Sequence, residues 1–253
     1  MKPGEFVSRF LTVRRCVCCG EITDYENRDD AFCPECRKAW EKAKMKECPE
    51  CHLPAVECAC MPDMMSSAGV ALLGRLTEYK STSADEAQNK IIYFVKRNRN
   101  KRVFSFLASQ LAPRVSEMLA QTDTAKENAV ITYVPRSVRA GIKYGFDQSE
   151  MICRELSEIS GIPYITAIRR RSGREQKKMK AQSRKKNASH AFAADSRLTE
   201  SDIKGKYVIL FDDVVTTGSS MSACADIIME RHPALIAGLC IARTEKNSKK
   251  NPV

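Results

Sequence analysis

Long apolar runs are missing from this sequence. Runs such as Ala234–Ala242 fall far short of the roughly 18 residues that a membrane-spanning helix needs. Residues 1–15 contain neither a sustained apolar stretch nor a small-residue cleavage site, so they do not predict a secretory signal. We therefore expect neither a transmembrane nor a secreted protein, and we expect a cytoplasmic location.

Acidic residues are also in short supply. The chain has 31 Asp and Glu against 42 Lys and Arg, which gives a formal net charge of +11. A positive surface attracts anionic partners, so the charge favours a ligand such as phosphate, a nucleotide or nucleic acid.

Cysteine, in contrast, is abundant and unevenly distributed. Nine of the twelve cysteines lie within the first 60 residues. A cytoplasmic chain keeps its thiols reduced, so such clustering favours metal binding over disulfides.

The amino-terminal cysteines form four close pairs, and eight of them are candidate metal ligands: Cys16, Cys19, Cys33, Cys36, Cys48, Cys51, Cys58 and Cys60. Four pairs can build two tetrahedral sites of four thiolates, which predicts two structural zinc ions. We favour sequential pairing, with the first two pairs on one ion and the last two on the other. A crossed pairing remains open, as do a role for Cys18 and the replacement of Cys58 or Cys60 by His52. Redox-active Cys-x-x-Cys motifs are the alternative, but four pairs in so short a stretch fit a folding role better.

The composition changes sharply after the last of these cysteines. We expect a cysteine-rich zinc module over residues 1–62 and a second domain over residues 63–253. Within the second domain, residues 63–128 are expected to be a helical hood or linker, with Pro113 kinking or restarting a helix, and residues 129–253 the core.

Strands and helices alternate in the core region. The apolar runs Val130–Val134, Ile162–Ile165, Tyr207–Phe211 and Leu235–Ala242 predict strands, and Gln148–Ser160 and Ser219–Arg231 predict helices. This order predicts an α/β fold with a doubly wound parallel sheet.

One segment of the core has a pattern typical of a ligand site. The apolar strand at Tyr207–Phe211 is followed by two adjacent carboxylates, and then by a hydroxyl-rich loop that opens a helix. The candidate residues are Asp212, Asp213, Thr216, Thr217, Gly218, Ser219 and Ser220. Backbone N–H groups at a helix start attract a phosphate, and paired carboxylates can accept hydrogen bonds from a diol and favour positive charge on a sugar. The pattern therefore predicts a site for a phosphorylated sugar.

A P-loop NTPase is the alternative for an apolar strand that ends in two acids. It requires a G-x-x-x-x-G-K-[ST] loop elsewhere in the chain. The nearest candidate, Gly69–Gly74, is followed by Arg75 and Leu76, so it lacks both the Lys and the Ser or Thr.

The segment Tyr207–Met221 resembles the 5-phosphoribosyl-1-pyrophosphate (PRPP) motif of type I phosphoribosyltransferases. More of the chain resembles the ComF (competence protein F) family, which is also known for an amino-terminal cysteine-rich zinc module. The further matching residues are Val134, Pro135, Arg139, Gly145, Phe146, Gln148, Gln176, Arg184, Asn187 and Phe192. The chain departs from the family at Tyr144 and Asp147, where the family usually has Arg and Asn.

The resemblance implies Mg²⁺-dependent PRPP binding and transfer of the phosphoribosyl group to an unidentified acceptor. It places the ribose diol on Asp212 and Asp213, which would be the catalytic pair, and the 5′-phosphate on residues 216–220. The segment with Pro135 and Arg136 would bind the pyrophosphate through backbone N–H groups, together with Arg184. An ordinary strand-to-helix turn is the alternative for Pro135 and Arg136. The resemblance also implies a connection with competence or DNA uptake. The alternative is a non-catalytic accessory protein that binds DNA or partner proteins and uses the PRPP loop as a nucleotide sensor.

The stretch Arg169–Lys186 is strongly basic, with ten basic residues among eighteen. We expect a loop that closes over the pyrophosphate and also gives weak, salt-sensitive DNA affinity. It contains no aromatic residue, which argues against a dedicated groove for single-stranded nucleic acid.

Overall fold

The fold is built on a sheet of four parallel strands in a computed structural model that describes residues 14–23, 29–79, 86–171 and 191–244. In chain order the sheet strands are β1 (Val70–Tyr79), β2 (Ala129–Tyr133), β5 (Tyr207–Val215) and β6 (Leu235–Thr244). Their spatial order is β1-β6-β5-β2. Two short strands, β3 (Ile168–Arg170) and β4 (Phe192–Ala194), form a separate antiparallel pair.

Helices cover both faces of this sheet. They are α1 (Pro34–Lys44), α2 (Asp63–Ser67), α3 (Ala87–Arg97), α4 (Lys101–Gln121), α5 (Val138–Tyr144), α6 (Gln148–Ser160) and α7 (Ser219–Met229). One apolar core joins the sheet to α3, α4 and α6, and a second core on the opposite face joins it to α2, α7 and the β3–β4 pair. The predicted doubly wound α/β sheet is therefore confirmed. Among the described helices, none is both long and apolar enough to cross a membrane.

Strand β5 shows why the apolar runs were informative. All of its first five residues are buried, because a parallel strand covered on both faces needs apolar side chains on each. Beside it, β2 continues into Val134, whose N–H donates to the carbonyl of Phe211 at 2.8 Å. The carboxyl ends of β2 and β5 therefore meet at one edge of the sheet.

Strand β1 was not predicted, and it lies within the stretch 63–128 that was expected to be a helical hood or linker. Its apolar pattern is interrupted by Arg75, Thr77 and Glu78, yet all three residues are buried. Their partners come from elsewhere in the chain: Arg75 donates to the carbonyl of Ala55 at 3.3 Å, and Glu78 forms an ion pair with Lys46. Buried polar residues whose partners lie in distant segments hide a strand from a periodicity argument.

Two smaller expectations also need correction. Pro113 does not restart a helix, because α4 runs continuously through it. The run Ile162–Ile165 forms an isolated bridge rather than a strand: the N–H of Ile131 donates to the carbonyl of Pro163 at 2.8 Å, and the N–H of Ile165 donates to the carbonyl of Ile131 at 2.9 Å.

The amino-terminal cysteine-rich segment packs directly on helix α4. The rings of Phe32 and Phe106 meet edge to face at 5.5 Å, and the indole N–H of Trp40 donates to Gln110 at 3.3 Å. Phe32 and Trp40 thus belong to the same apolar core as one face of the sheet.

Candidate functional site

The candidate site lies where the parallel strands β2 and β5 end. Strand β5 carries Asp212 and Asp213 and leads through Thr216 and Thr217 into helix α7. The neighbouring strand β2 leads into Pro135 and Arg136. The structure therefore brings together both predicted ligand segments, in the crevice where open α/β sheets bind ligands.

The phosphate loop, residues 216–220, is shaped for an anion. Its Gly218 is the N-cap of α7, has φ of 80° and makes no side-chain cap to the first turn of the helix. The N–H of Ser219 reaches Thr217 Oγ1 at 3.4 Å, which is a long hydrogen bond. The N–H groups that follow at such a helix start need an acceptor, and the helix dipole favours a negative one. Ser219 and Ser220 are half-buried beside them, while Thr216 and Thr217 are exposed. The loop can therefore take a phosphate group.

The two carboxylates have different surroundings. Asp213 is buried; it accepts a hydrogen bond from Gln148 Nε2 at 2.6 Å and pairs with Lys96 Nζ at 3.3 Å. Asp212 is half-buried, and its Oδ1 accepts the N–H of Asp213 at 2.9 Å. Burial, and then the neighbouring carboxylate of Asp213, raise the pKa of Asp212 well above its ordinary value. Two closely spaced acids at this position favour a ligand that brings hydroxyl donors or developing positive charge.

At the end of β2, the groups of Arg136 are bonded within the chain. Its backbone N–H donates to Asp147 Oδ2 at 2.8 Å. Its guanidinium donates to the carbonyls of Phe146 at 2.9 Å and Lys96 at 3.2 Å. The carbonyl of Pro135 accepts from Arg170 Nε at 3.2 Å. In this conformation the loop is therefore held closed through the N–H and two guanidinium nitrogens of Arg136, while its buried Nε has no hydrogen-bond partner among the described residues.

Asp147, one of the two departures from the ComF pattern, is central to that closure. Besides Arg136, it accepts the N–H of Ser149 at 2.9 Å as the N-cap of α6. Burial raises the pKa of Asp147 above its ordinary value, although these hydrogen bonds act in the opposite direction. Because a raised carboxyl pKa means that ionisation is disfavoured in the folded state, the free energy of unfolding falls as the pH rises from the ordinary carboxyl pKa towards the raised pKa of the folded state.

Substitutions at Asp147 should separate its charge from its hydrogen bonds. Asp147→Ala should lower the free energy of unfolding by about 2 kcal/mol, since it removes a helix cap and leaves the N–H of Arg136 without its acceptor. Asp147→Asn removes the charge and keeps one oxygen acceptor, but its amide nitrogen cannot accept the second N–H, so we expect a stability between those of the parent and the Ala variant. Urea unfolding at neutral pH measures both variants. An Asn variant as unstable as the Ala variant would contradict this account.

Arg184, the remaining predicted pyrophosphate ligand, lies outside the described residues, as do residues 172–186 of the basic stretch. The first residues of the basic stretch, Arg169–Arg171, are described and lie at strand β3. The structure adds three side chains that the predicted set lacked: Lys96, Gln148 and Arg170. Gln148 had a signal in the sequence, since it belongs to the Gly-Phe-Asp-Gln segment. Lys96 had none, because the fold alone brings helix α3 to the end of β5.

The eight predicted cysteine ligands form two clusters, and in each the four sulfur atoms lie within 4.8 Å of one another. The first cluster contains Cys16, Cys19, Cys33 and Cys36, and the second contains Cys48, Cys51, Cys58 and Cys60. This is the sequential grouping. In both, a backbone N–H donates to a sulfur of the cluster, from Cys18 to Cys16 Sγ at 3.4 Å and from Cys60 to Cys58 Sγ at 3.3 Å. His52 instead pairs with Glu47 at 2.6 Å.

Both clusters fit zinc in donor type and spacing. Zinc–sulfur bonds of about 2.3 Å in a tetrahedron separate the sulfur atoms by roughly 3.8 Å. The sulfur atoms of Cys19 and Cys33 are 3.6 Å apart. Each cluster can therefore hold one ion through four thiolates.

Buried arginines surround the second cluster. Arg75, Arg114 and Arg243 are all buried and donate to the carbonyls of Ala55, Glu57 and Cys60 at 3.3, 3.4 and 3.2 Å. Burial lowers the pKa of Arg75, but nearby thiolates, first those of Cys58 and Cys48, more than offset this and raise it. A zinc ion with four thiolates carries a net negative charge, which is the counter-charge that buried guanidinium groups need.

Residues 148–253 match the family model of the phosphoribosyl transferase domain. Taken with the parallel sheet and the acid pair at the end of β5, this match defines the fold as that of a type I phosphoribosyltransferase, as predicted.

Similar proteins cover most of the chain. It is 26% identical over 217 residues to the DNA utilization protein YhgH of Salmonella typhimurium (strain LT2), and 28% identical over 224 residues to the protein of that name from Escherichia coli (strain K12). Both matches cover 84% of this chain and 90% of the relative. The chain is therefore similar to these proteins over most of its length, and its carboxyl-terminal part matches the phosphoribosyl transferase domain. A structure of Trypanosoma cruzi hypoxanthine phosphoribosyl transferase covers 60% of this chain and 70% of its own, with 14% identity and a TM-score of 0.37.

Proposed function

We propose that the chain binds PRPP with Mg²⁺ at the carboxyl edge of the sheet and transfers the phosphoribosyl group to an acceptor. The observation that carries the proposal is the order of groups along β5 and α7: Asp212 and Asp213 lie in the carboxyl-terminal half of a buried strand, and after that strand ends at Val215 a three-residue loop leads into the start of α7. A phosphate and a vicinal diol are spaced in this way on a ribose 5-phosphate.

The proposed chemistry assigns each group one role. N–H groups and hydroxyls of the phosphate loop bind the 5′-phosphate. Asp212 and Asp213 accept hydrogen bonds from the ribose hydroxyls and stabilise the positive charge that develops on the sugar as its bond to pyrophosphate breaks. Mg²⁺ prefers carboxylate and phosphate oxygens, so the acid pair fits an ion that arrives with the ligand and neutralises the pyrophosphate. We assign the closing of the site to the basic stretch with Arg184.

The cysteine clusters complete the proposed architecture. We propose one structural zinc ion in each cluster, a zinc module over residues 1–62, and a phosphoribosyltransferase-like domain over residues 63–253 whose sheet includes β1. Thiolate ligands persist in a reducing compartment, which supports a cytoplasmic location.

A second candidate function is a non-catalytic one in DNA uptake or DNA processing. Two relatives carry the name DNA utilization protein, and the chain has a net charge of +11. The closed loop at Arg136 favours this candidate, because both its N–H and its guanidinium are already bonded within the chain. In that case the phosphate loop would serve as a nucleotide sensor, and DNA or competence proteins would be the partners.

Ligand stabilisation distinguishes the candidates. PRPP with Mg²⁺ at about 100 times its Kd should add about 2.7 kcal/mol to the free energy of unfolding, or a rise in Tm of about 5 to 10 °C. Release of pyrophosphate on adding purine or pyrimidine bases would support the transferase. A rise in Tm without pyrophosphate release would support the sensor, and no rise would contradict PRPP binding.

A further inference from the structure

The chain runs from the second cysteine cluster directly onto the phosphate loop. Two residues separate Cys60 from helix α2, and the buried Met65 of that helix lies against Gly218. A Cβ atom added to Gly218 would lie 2.6 Å from Met65 Cγ and 3.4 Å from Pro62 Cβ. Glycine is thus required at position 218 for two reasons, the positive φ and the close approach of Met65 and Pro62. The segment 61–65 therefore packs against the phosphate loop.

Arg243 forms a second connection between the same two places. Its guanidinium donates to the carbonyl of Cys60 at 3.2 Å and to Glu50 Oε1 at 2.6 Å. On strand β6, Arg243 pairs in register with Val215, the residue that precedes the phosphate loop. The side chain therefore joins the second cluster to the end of β5.

The first cluster packs on a different part of the protein. Its neighbour Phe32 contacts Phe106 of α4, and the guanidinium of Arg102 donates to the carbonyl of Arg15 at 2.9 Å. The two clusters have the same ligands but different neighbours, so the first provides a matched control for the second.

We propose that the metal-loaded second cluster holds the phosphate loop in its anion-binding conformation, so that metal binding and 5′-phosphate binding are positively coupled. The identity of the ligand rests on the proposed function. When the metal fixes Cys58 and Cys60, Met65 and Pro62 are held against Gly218. The N–H groups of the loop then keep a single orientation. Loss of that anchor should weaken ligand binding about tenfold, and linkage requires the ligand to tighten metal binding by the same factor.

Two buried methionines allow a direct test of the contact. Met65 packs on Gly218, and Met118 packs in the same way on Gly74, where an added Cβ would lie 2.7 Å from Met118 Sδ. We expect Met65→Ala to weaken binding of ribose 5-phosphate and of PRPP with Mg²⁺ about tenfold by calorimetry, well below the Tm and with zinc bound. Met118→Ala should lower the stability without weakening ligand binding. Met65→Leu should keep most of the parent's ligand affinity. Equal effects of the two Ala variants would overturn the proposal.

A second measurement tests the metal itself. Cys51→Ser should lose one zinc and increase hydrogen exchange at the amide of Ser222, which donates to the carbonyl of Gly218 at 2.8 Å, whereas Cys19→Ser should lose one zinc and leave that amide protected. Exchange in Met65→Ala should follow Cys51→Ser. If the parent binds neither ribose 5-phosphate nor PRPP, the proposed function fails, and the exchange data alone then decide the coupling. Unchanged exchange in both variants would overturn it.

Discussion

Asp212→Asn combined with Asp213→Asn is expected to abolish detectable PRPP binding while the fold is retained. Hydrogen bonds to a charged group contribute about 1.5 to 3 kcal/mol each, so the loss of two should reduce affinity at least about 100-fold. The fold should persist because the amides are isosteric and because Lys96, the ion partner of Asp213, is partly exposed and can turn to water.

The Asp212→Asn substitution by itself should raise the stability of the fold. Since burial raises the pKa of Asp212, the folded state holds its proton more tightly than the unfolded chain does. The carboxylate therefore lowers the free energy of unfolding as the pH rises above the ordinary carboxyl pKa. Asp212→Asn removes this effect and should gain about 1 kcal/mol at neutral pH and little in acid.

Thermal shift with PRPP and Mg²⁺, and urea unfolding at several pH values, measure the two effects. Asp226→Asn, at an exposed position on α7, is the matched control and should change neither. If PRPP stabilised the double variant as much as the parent, the assignment of the diol to this acid pair would be wrong.

Loss of the second cysteine cluster is expected to destabilise the whole fold more than loss of the first. Elemental analysis should give two zinc ions per chain. Cys58→Ser should lower the free energy of unfolding by about 3 to 5 kcal/mol, because Arg75 would remain buried without the thiolates that stabilise its charge most, with Glu78 no closer than 4.0 Å. Arg243 keeps its ion pair with Glu50. Cys19→Ser, in the first cluster and exposed, should lose one zinc at a smaller cost.

A double variant tests the electrostatic explanation. Adding Arg75→Met to Cys58→Ser removes the uncompensated charge, so it should recover part of the lost stability, whereas Arg75→Met alone should destabilise the parent. Chemical unfolding with zinc determination measures these changes. Protein purified without chelator that contained no zinc, or equal losses from the two clusters, would contradict the prediction.

The parts of the site that the sequence predicted are those that one continuous segment specifies. Strand β5 contains the acid pair, and only three residues separate it from the start of α7, so local periodicity and residue type were enough. The sequential cysteine grouping was likewise favoured by spacing along the chain.

The parts that escaped prediction depend on contacts between distant segments. Strand β1 was not predicted because its apolar pattern is interrupted by Arg75 and Glu78. Arg75 donates to the carbonyl of Ala55, and Glu78 pairs with Lys46. The pairing of Lys96 with Asp213 requires α3 to be packed beside the end of β5. No local pattern encodes such a contact, because neither segment specifies the position of the other.

The strand order has a consequence for synthesis. Strand β1 leaves the ribosome first among the sheet strands, yet its partner in the sheet is β6, which is made last, with Val70 paired to Ile236. During translation β1 therefore carries unpaired backbone groups, together with Arg75 and Glu78, until nearly the whole chain has emerged. Pairing across such a sequence separation is slow and leaves strand edges open to aggregation. Folding of the nascent chain should accordingly be limited by the emergence of β6 from the ribosome.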